Sequence, residues 1–252
     1  MSFFVFFMYF CRMIVKTEAI VLHSFKLGES KIVAELFCRA TGRLTVVAPL
    51  PKTAKGRMKK QFFQPLTLLD VECDVRPRLN MQRLKDIRLL APYASLPFEP
   101  AKLAITLFVA EFLLHALRSE QQNEALFEYI KDSLLWLDNC QSHYANFHLV
   151  FLMRLSRFLG FFPNLDDYRE GCCFDLRQAC FVAAAPVHSY FLPPHEASLI
   201  PLMMRMNFAN MHLFRLSHHE RGRLIDVIVA YYQVHLPAFP ELRSLPVLKE
   251  LW

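Results

Sequence analysis

From Ile14 to Leu90 the apolar residues recur at alternate positions, in short runs separated by Gly, Pro and polar clusters. A period of two predicts β-strands. Five are expected: Ile14–Phe25, Ser30–Arg39, Arg43–Pro49, Pro65–Asp74 and Gln82–Leu90. In the second, Ile32, Ala34, Leu36 and Cys38 share one face. Lys31, Glu35 and Phe37 share the other, which makes Phe37 a candidate for exposure. In the third, Leu44, Val46 and Ala48 are expected inward. Thr41-Gly42 supplies one turn, and Arg76-Pro77-Arg78 breaks the chain before the last strand. Five short strands within residues 13–92 suggest a small Greek-key barrel, of which the OB-fold is the common nucleic-acid-binding form.

After the proline-punctuated stretch from Pro92 to Pro100 the period becomes helical. Helices are expected at Ala101–Arg118, Glu120–Leu137 and His143–Leu159, the last apolar nearly all round and so central. Gly160 is expected to cap it and Pro163 to stop it. Arg154 falls on the same stripe as Phe147, Val150, Phe151, Leu155 and Phe158. It reads either as a snorkelling or paired core arginine or as an anchor for an acidic partner. Residues 164–193 lack a clear period and read as irregular. Helix resumes over His195–Met206, with an interruption expected at Pro201. Ser217–His235 opens with the capping box Ser217 and Glu220, and a short helix closes the chain near Leu245–Leu251. The expected class is α+β: a five-stranded OB-fold barrel at 13–92 and an α-helical domain at 93–252.

Charge separates these two regions. The chain of 252 residues is 54% hydrophobic with a net charge of +6. Residues 13–92 carry 15 Lys and Arg against 7 Asp and Glu, whereas residues 93–252 carry 13 against 16. Seven cations and no acid fall within residues 39–60, five of them in KTAKGRMKK. An OB-fold presents strands 2 and 3 and the loops joining strands 1–2 and 4–5. The basic residues fall there: Lys26 and Lys31, Arg39 and Arg43, and Arg76 and Arg78. Lys52, Lys55, Arg57, Lys59 and Lys60 occupy the loop between strands 3 and 4. A solvated lysine loop guarding an exposed edge is the plain alternative. The coincidence with the binding elements favours contact with phosphates. Phe25, Phe37, Phe62 and Phe63 are available for base stacking, though core packing is the commoner fate of phenylalanine.

Seven scattered cysteines without a CxxC pair argue against a disulfide framework and for reduced thiols. Residues 1–12, MSFFVFFMYFCR, are apolar but short of a membrane span and lack the marks of a signal peptide. They read as an upstream start or an extension before Met13. A membrane-tethered scaffold rests on that segment alone.

Several stretches in order resemble the RecO family of bacterial DNA repair proteins. EAIVLHSFKLGESKIVAELFCRATGRLTVVA carries Leu22, Gly28, Glu29, Ser30, Leu36, Phe37, Gly42, Arg43 and Leu44. FQPLTLLDVE resembles the family's next strand. RLSRFLGFFPNLDDY carries Leu159, Gly160, Phe161, Pro163 and Leu165, and HLPAFPELRSLPVLKEL resembles the closing segment. The resemblance covers residues 13–252. It implies a recombination mediator that binds DNA and anneals single strands. It implies as partners RecR, the acidic tail of the single-stranded-DNA-binding protein and, indirectly, RecA. Arg154, Arg157 and Arg205 are candidates to receive that tail, since an acidic peptide ending in an aromatic needs an apolar pocket rimmed by cations.

One departure stands out. Many family members carry two CxxC pairs after the Leu-Gly-Phe stretch, as a zinc site. Here YREGCCFDLRQACFVAAAP offers Tyr168 and only Cys172, Cys173 and Cys180. Adjacent cysteines rarely both ligate one tetrahedral ion. No zinc and no other cofactor is expected, and Tyr168, Phe174 and Phe181 are expected to pack in its place. Asp166, Asp167 and Asp175 raise metal-dependent phosphoryl chemistry, but two are consecutive and no acidic-His helix motif accompanies them. His218-His219-Glu220 reads as the first turn of a capped helix. No phosphate-cradling Gly-rich loop and no nucleophile–base pair is visible, so a non-enzyme is expected. An OB-fold joined to a helical nuclease is the alternative.

Overall fold

A computed structural model describes residues 13–50, 60–76, 78–236 and 238–251. Residues 1–12, and Lys52, Lys55, Arg57 and Lys59 of the basic run, lie outside the described residues. The chain divides into two compact units after Asp138.

The first unit holds five strands: β1 (Met13–Leu27), β2 (Lys31–Cys38), β3 (Gly42–Pro49), β4 (Leu68–Val75) and β5 (Gln82–Ala91). β1 pairs antiparallel with both β2 and β4, β2 with β3, and β4 with β5. A short parallel contact, Val46 with Gln82 and Val47 with Arg83, closes the ring β1-β2-β3-β5-β4. This is the OB-fold barrel, and the molecule is α+β as its periodicity predicts. Ile32, Ala34, Leu36 and Cys38 face the barrel core with Val46, Ala48 and Leu84, as alternation requires.

Helices α1 (Pro100–Ala116) and α2 (Glu124–Asn139) complete this unit. α2 begins four residues later than its apolar pattern suggests. Asn123 accepts from the Leu126 amide at 3.1 Å and so caps the helix there. α1 packs on β1. Phe37 is buried, its ring 6.2 Å from that of Phe127. The outer face of β2 is therefore covered at that point, and the exposure considered for Phe37 does not hold. Phe63 is buried and Phe62 packs on the barrel core; Phe25 stands exposed.

The β2–β3 turn meets the segment between α1 and α2. Gly42 has φ +71°, and a Cβ there would lie 2.4 Å from the Gln121 carbonyl carbon. The Arg43 amide donates to the Glu120 carbonyl at 3.3 Å. Gly42→Ala thus combines left-handed strain with a backbone collision. It is expected to lower unfolding free energy by about 2–4 kcal/mol. Denaturant unfolding measures this, and a loss under about 1 kcal/mol would contradict the close approach.

Among the described residues the second unit holds α3 (Phe147–Phe158), strands β6 (Cys173–Asp175), β7 (Cys180–Val182) and β8 (Phe191–Leu192), four further α-helices and a 3-10 turn at Met211–Leu213. The four helices are α4 (Pro194–Ala197), α5 (Leu199–Arg205), α6 (His218–His235) and α7 (Ser244–Glu250). After α3, Gly160 adopts φ +86° and the Phe161 amide donates to the Ser156 carbonyl at 3.1 Å, a Schellman closure. The segment read as irregular contains a small antiparallel sheet in the order β7-β6-β8. Strands of two and three residues are too short to show a period. Tyr168 and Phe174 pack on Phe181, each at 4.9 Å between ring centroids. The helix break falls at Ser198, not at Pro201. Pro201 sits in the first turn of α5, where a missing N–H costs no intrahelical bond. The capping box of Ser217 and Glu220 is present.

Candidate nucleic-acid interface

Where the start of β2 and the β4–β5 loop meet the end of β3, a groove of about 490 Å³ opens on the barrel. Lys31, Arg76 and Arg83 are its cations, and Val47, Pro49, Leu79 and Met81 give it an apolar lining. Strand geometry places each group. Lys31 starts β2 opposite Pro49, and Arg83 lies beside Val47 through the parallel β3–β5 contact. Odd-numbered positions of β2, β3 and β5 point outward here, because Ile32, Ala48 and Leu84 point to the core.

The loop from Arg76 to Met81 is held by the buried side chain of Gln82. Its Oε1 accepts from the Arg76 amide at 2.7 Å, and its Nε2 donates to the Arg76 carbonyl at 3.1 Å and to the Leu79 carbonyl. Asp74, only 1% exposed, pairs with the Arg76 guanidinium at 3.4 Å. One carboxylate against three cations leaves the groove electropositive, while a fixed loop holds Leu79 and Met81 towards solvent.

Among the described residues the sequence-derived cations separate into three sets. Lys31 and Arg76 line the groove, and Lys26, Lys60 and Arg78 are exposed. Arg39 and Arg43 are engaged elsewhere. Arg39 bonds Glu124 at 2.7 Å and Glu128 at 3.0 Å and lies 3.6 Å from Glu18. Its bond to Glu124 above all, with the nearby carboxylates, strengthens its hold on its proton. Lys131 joins the same cluster, 3.2 Å from Glu18 and 2.7 Å from Glu128. Arg43 pairs with Glu35 and donates to the Leu114 carbonyl. These two arginines fasten the β2–β3 turn to α1 and α2. Arg83, Gln82, Leu79 and Met81 were not singled out from sequence. The strict alternation Gln82, Arg83, Leu84 was the available signal for an outward Arg83.

In the second unit Arg154, Arg157 and Arg205 are all exposed. Arg154 thus stands in solvent, not on the buried stripe of α3, and Arg157 lies 5.9 Å from the Phe162 ring. Asp175 is buried, accepts from the Arg177 and Gln178 amides, and lies 3.3 Å from His188. Asp166 and Asp167 are exposed. Among the described residues no group of three or more His, Cys, Asp or Glu is placed to hold a metal ion. Burial, with Cys73 beside it, pushes the Cys38 thiol up to about 12. Burial and Glu72 push Cys73 to about 11, so neither supplies a thiolate at neutral pH. His148 is driven down to about 3 by burial and then by Arg221, and it stays neutral. Among the described residues no helix is long and apolar enough to cross a membrane.

Comparison with known proteins gives matches along most of the chain. Residues 13–93 match the family model for the N-terminal part of recombination protein O, and residues 97–246 match that for its C-terminal part. The chain is 47% identical over 240 residues to the DNA repair protein RecO of Phocaeicola vulgatus, covering 95% of this chain and all of the relative. It is 46% identical over 241 residues to that of Bacteroides fragilis, with the same coverage. It is 31% identical over 240 residues to that of Flavobacterium psychrophilum, covering 94% of this chain and 99% of the relative.

Proposed function

This chain belongs to the RecO family of DNA repair proteins, and we propose that it binds DNA through the cationic groove of its OB-fold and anneals complementary single strands. The groove is the observation that carries this reading: three cations and an apolar lining where the start of β2, the end of β3 and the β4–β5 loop converge. Two strands repel each other through their phosphates. A cationic surface that binds both lowers that repulsion and releases condensed counterions, without reading base identity. Lys31, Arg76 and Arg83 are the proposed centre. Lys26, Lys60 and Arg78, exposed in the structure, are proposed to extend the surface, and Lys52, Lys55, Arg57 and Lys59 of the basic run are proposed phosphate contacts on their sequence alone. Arg39 and Arg43 leave the phosphate-contacting set, because carboxylates and a backbone carbonyl already compensate them.

The same surface serves single- and double-stranded DNA, since phosphates are common to both. RecR and the acidic tail of the single-stranded-DNA-binding protein are the proposed protein partners, the tail being received near Arg154, Arg157 and Arg205. RecA is reached indirectly, through recombinase loading onto strands freed of their coat. The role is non-enzymatic and belongs to the cytoplasm and nucleoid. A strand-annealing assay tests it, on naked complementary strands and on strands coated with the single-stranded-DNA-binding protein. The protein is expected to speed pairing in both cases and to leave the strands intact. Degradation of the strands in the presence of a divalent ion, or no acceleration of pairing, would overturn the proposal.

A further inference from the structure

We infer that Phe25, with Leu79 and Met81, forms a stacking platform for unpaired bases, and that this platform gives the groove its preference for single strands over duplex. The inference rests on the groove being the DNA-binding surface.

Register places Phe25 on the groove's side of the barrel. Phe25 pairs with Val33, Val33 with Val47, and Val47 with Arg83. Paired residues point to the same side of a sheet. Val33, Val47 and Arg83 alternate with core residues, so the row lies on the outer face of the barrel, although Val33 in its middle is itself covered, at 2% exposed. A second row runs beside it: Leu27 opposite Lys31, and Lys31 opposite Pro49. The bulge between Val21 and His23 makes this possible. It shifts the parity of β1, so that Val21 faces the core while Phe25 and Leu27 face out. At about 4.8 Å per strand, Phe25 stands roughly 10 Å from Val47 at the groove wall and roughly 14 Å from Arg83.

Four large apolar side chains are left to solvent around this face: Phe25 at 47%, Leu27 at 44%, Leu79 at 49% and Met81 at 46% exposed. Scattered singly, such residues need no explanation. Here Phe25 and Leu27 lie on rows that run into the groove, and Leu79 and Met81 line it. Lys31, Arg76 and Arg83 stand among them. An occupant must therefore present negative charge and flat apolar surface together. A single strand does so, with phosphates on one side and unpaired base faces on the other. A duplex offers the same phosphates but keeps its base faces stacked inside. The cations thus serve both forms of DNA, and the apolar platform serves only the unpaired one. An annealing surface so built loses its stacking contacts once pairing is complete, which favours release of the product.

The test compares the full chain with Phe25→Ala and Phe25→Trp. The probes are a fluorescein-labelled oligothymidylate and a labelled duplex of equal length, titrated over a range of salt. Phe25→Ala is expected to weaken single-strand binding about 5- to 100-fold. Duplex affinity and the slope of log affinity against log salt are expected to stay as in the parent, since no phosphate contact is lost. Phe25→Trp is expected to retain affinity, with its fluorescence quenched when oligothymidylate binds. Unchanged single-strand affinity in Phe25→Ala overturns the inference, as does an equal loss on both probes. A control substitution, Arg83→Ala, should weaken binding to both. If it does so while Phe25→Ala changes nothing, the platform alone is refuted. If Arg83→Ala and Lys31→Ala change neither probe, the groove itself is not the DNA-binding surface.

Discussion

Asp138→Ala is expected to lower the unfolding free energy by about 3–5 kcal/mol, a large share of the 5–15 kcal/mol typical of a domain. One carboxylate here organises the passage from barrel to helices. It accepts from the amides of Ala94 at 2.8 Å, Ser95 at 2.8 Å and Leu96 at 2.9 Å, and from the Ser95 hydroxyl at 3.2 Å. Ser95 and Leu96 are buried, so their amides have no water to turn to when the carboxylate is removed. The same Ser95 hydroxyl accepts from Lys102, a fully buried cation, at 2.7 Å. Loss of Asp138 therefore loosens the surroundings of a buried charge as well.

Burial alone would raise the Asp138 pKa, but the bonds from Ala94, Leu96 and Ser95 outweigh it and hold it below the usual carboxylate value. Its contribution is thus fully present above the ordinary aspartate range near pH 4 and is lost as pH falls through the depressed value. Unfolding in denaturant at pH 7 should show the deficit, and the gap between parent and variant should narrow on acidification. A deficit below about 1 kcal/mol at pH 7 would mean that the amides find other acceptors.

The five strands and the main helices were legible because each rests on a local period. Ile32 to Cys38 alternate, and Phe147 to Leu155 repeat at helical spacing. What could not be read locally was set by partners far along the chain. Arg39 looks like a surface cation in its own turn, yet its carboxylate partner Glu124 lies 85 residues away. Phe37 shares a strand face with Lys31 and Glu35, but a ring from α2 covers it. Arg83 gains its place beside Val47 from a parallel contact of two residue pairs, which no alternation pattern announces. The groove was half-visible in consequence. Lys31 and Arg76 were named from the loops that carry them, whereas Arg83, Leu79 and Met81 needed the closed ring. The small sheet β7-β6-β8 leaves no trace in the pattern because its strands are shorter than any detectable period.

If the groove binds DNA, its three cations carry the salt dependence, and Lys31→Ala, Arg76→Gln and Arg83→Ala together neutralise all of them. Gln at position 76 avoids setting a second negative charge beside the buried Asp74. Each lost phosphate contact removes about 0.7 from the single-strand salt slope, so the triple variant should flatten it by roughly two units. Relative to 1 M salt, this is a loss of about 100-fold in affinity at 0.1 M, with little dependence on base sequence. Lys31 and Arg83 are exposed, so their loss should change folding little, whereas Arg76→Gln removes the cation that faces the buried Asp74; denaturant unfolding of the triple variant shows that it is folded before binding is compared. The measurement is a titration of labelled oligothymidylate against the parent and the triple variant across that salt range. A slope flattened by about two units in a folded variant is the predicted result. An unchanged slope and unchanged affinity would contradict the account and place the DNA-binding surface elsewhere on the protein.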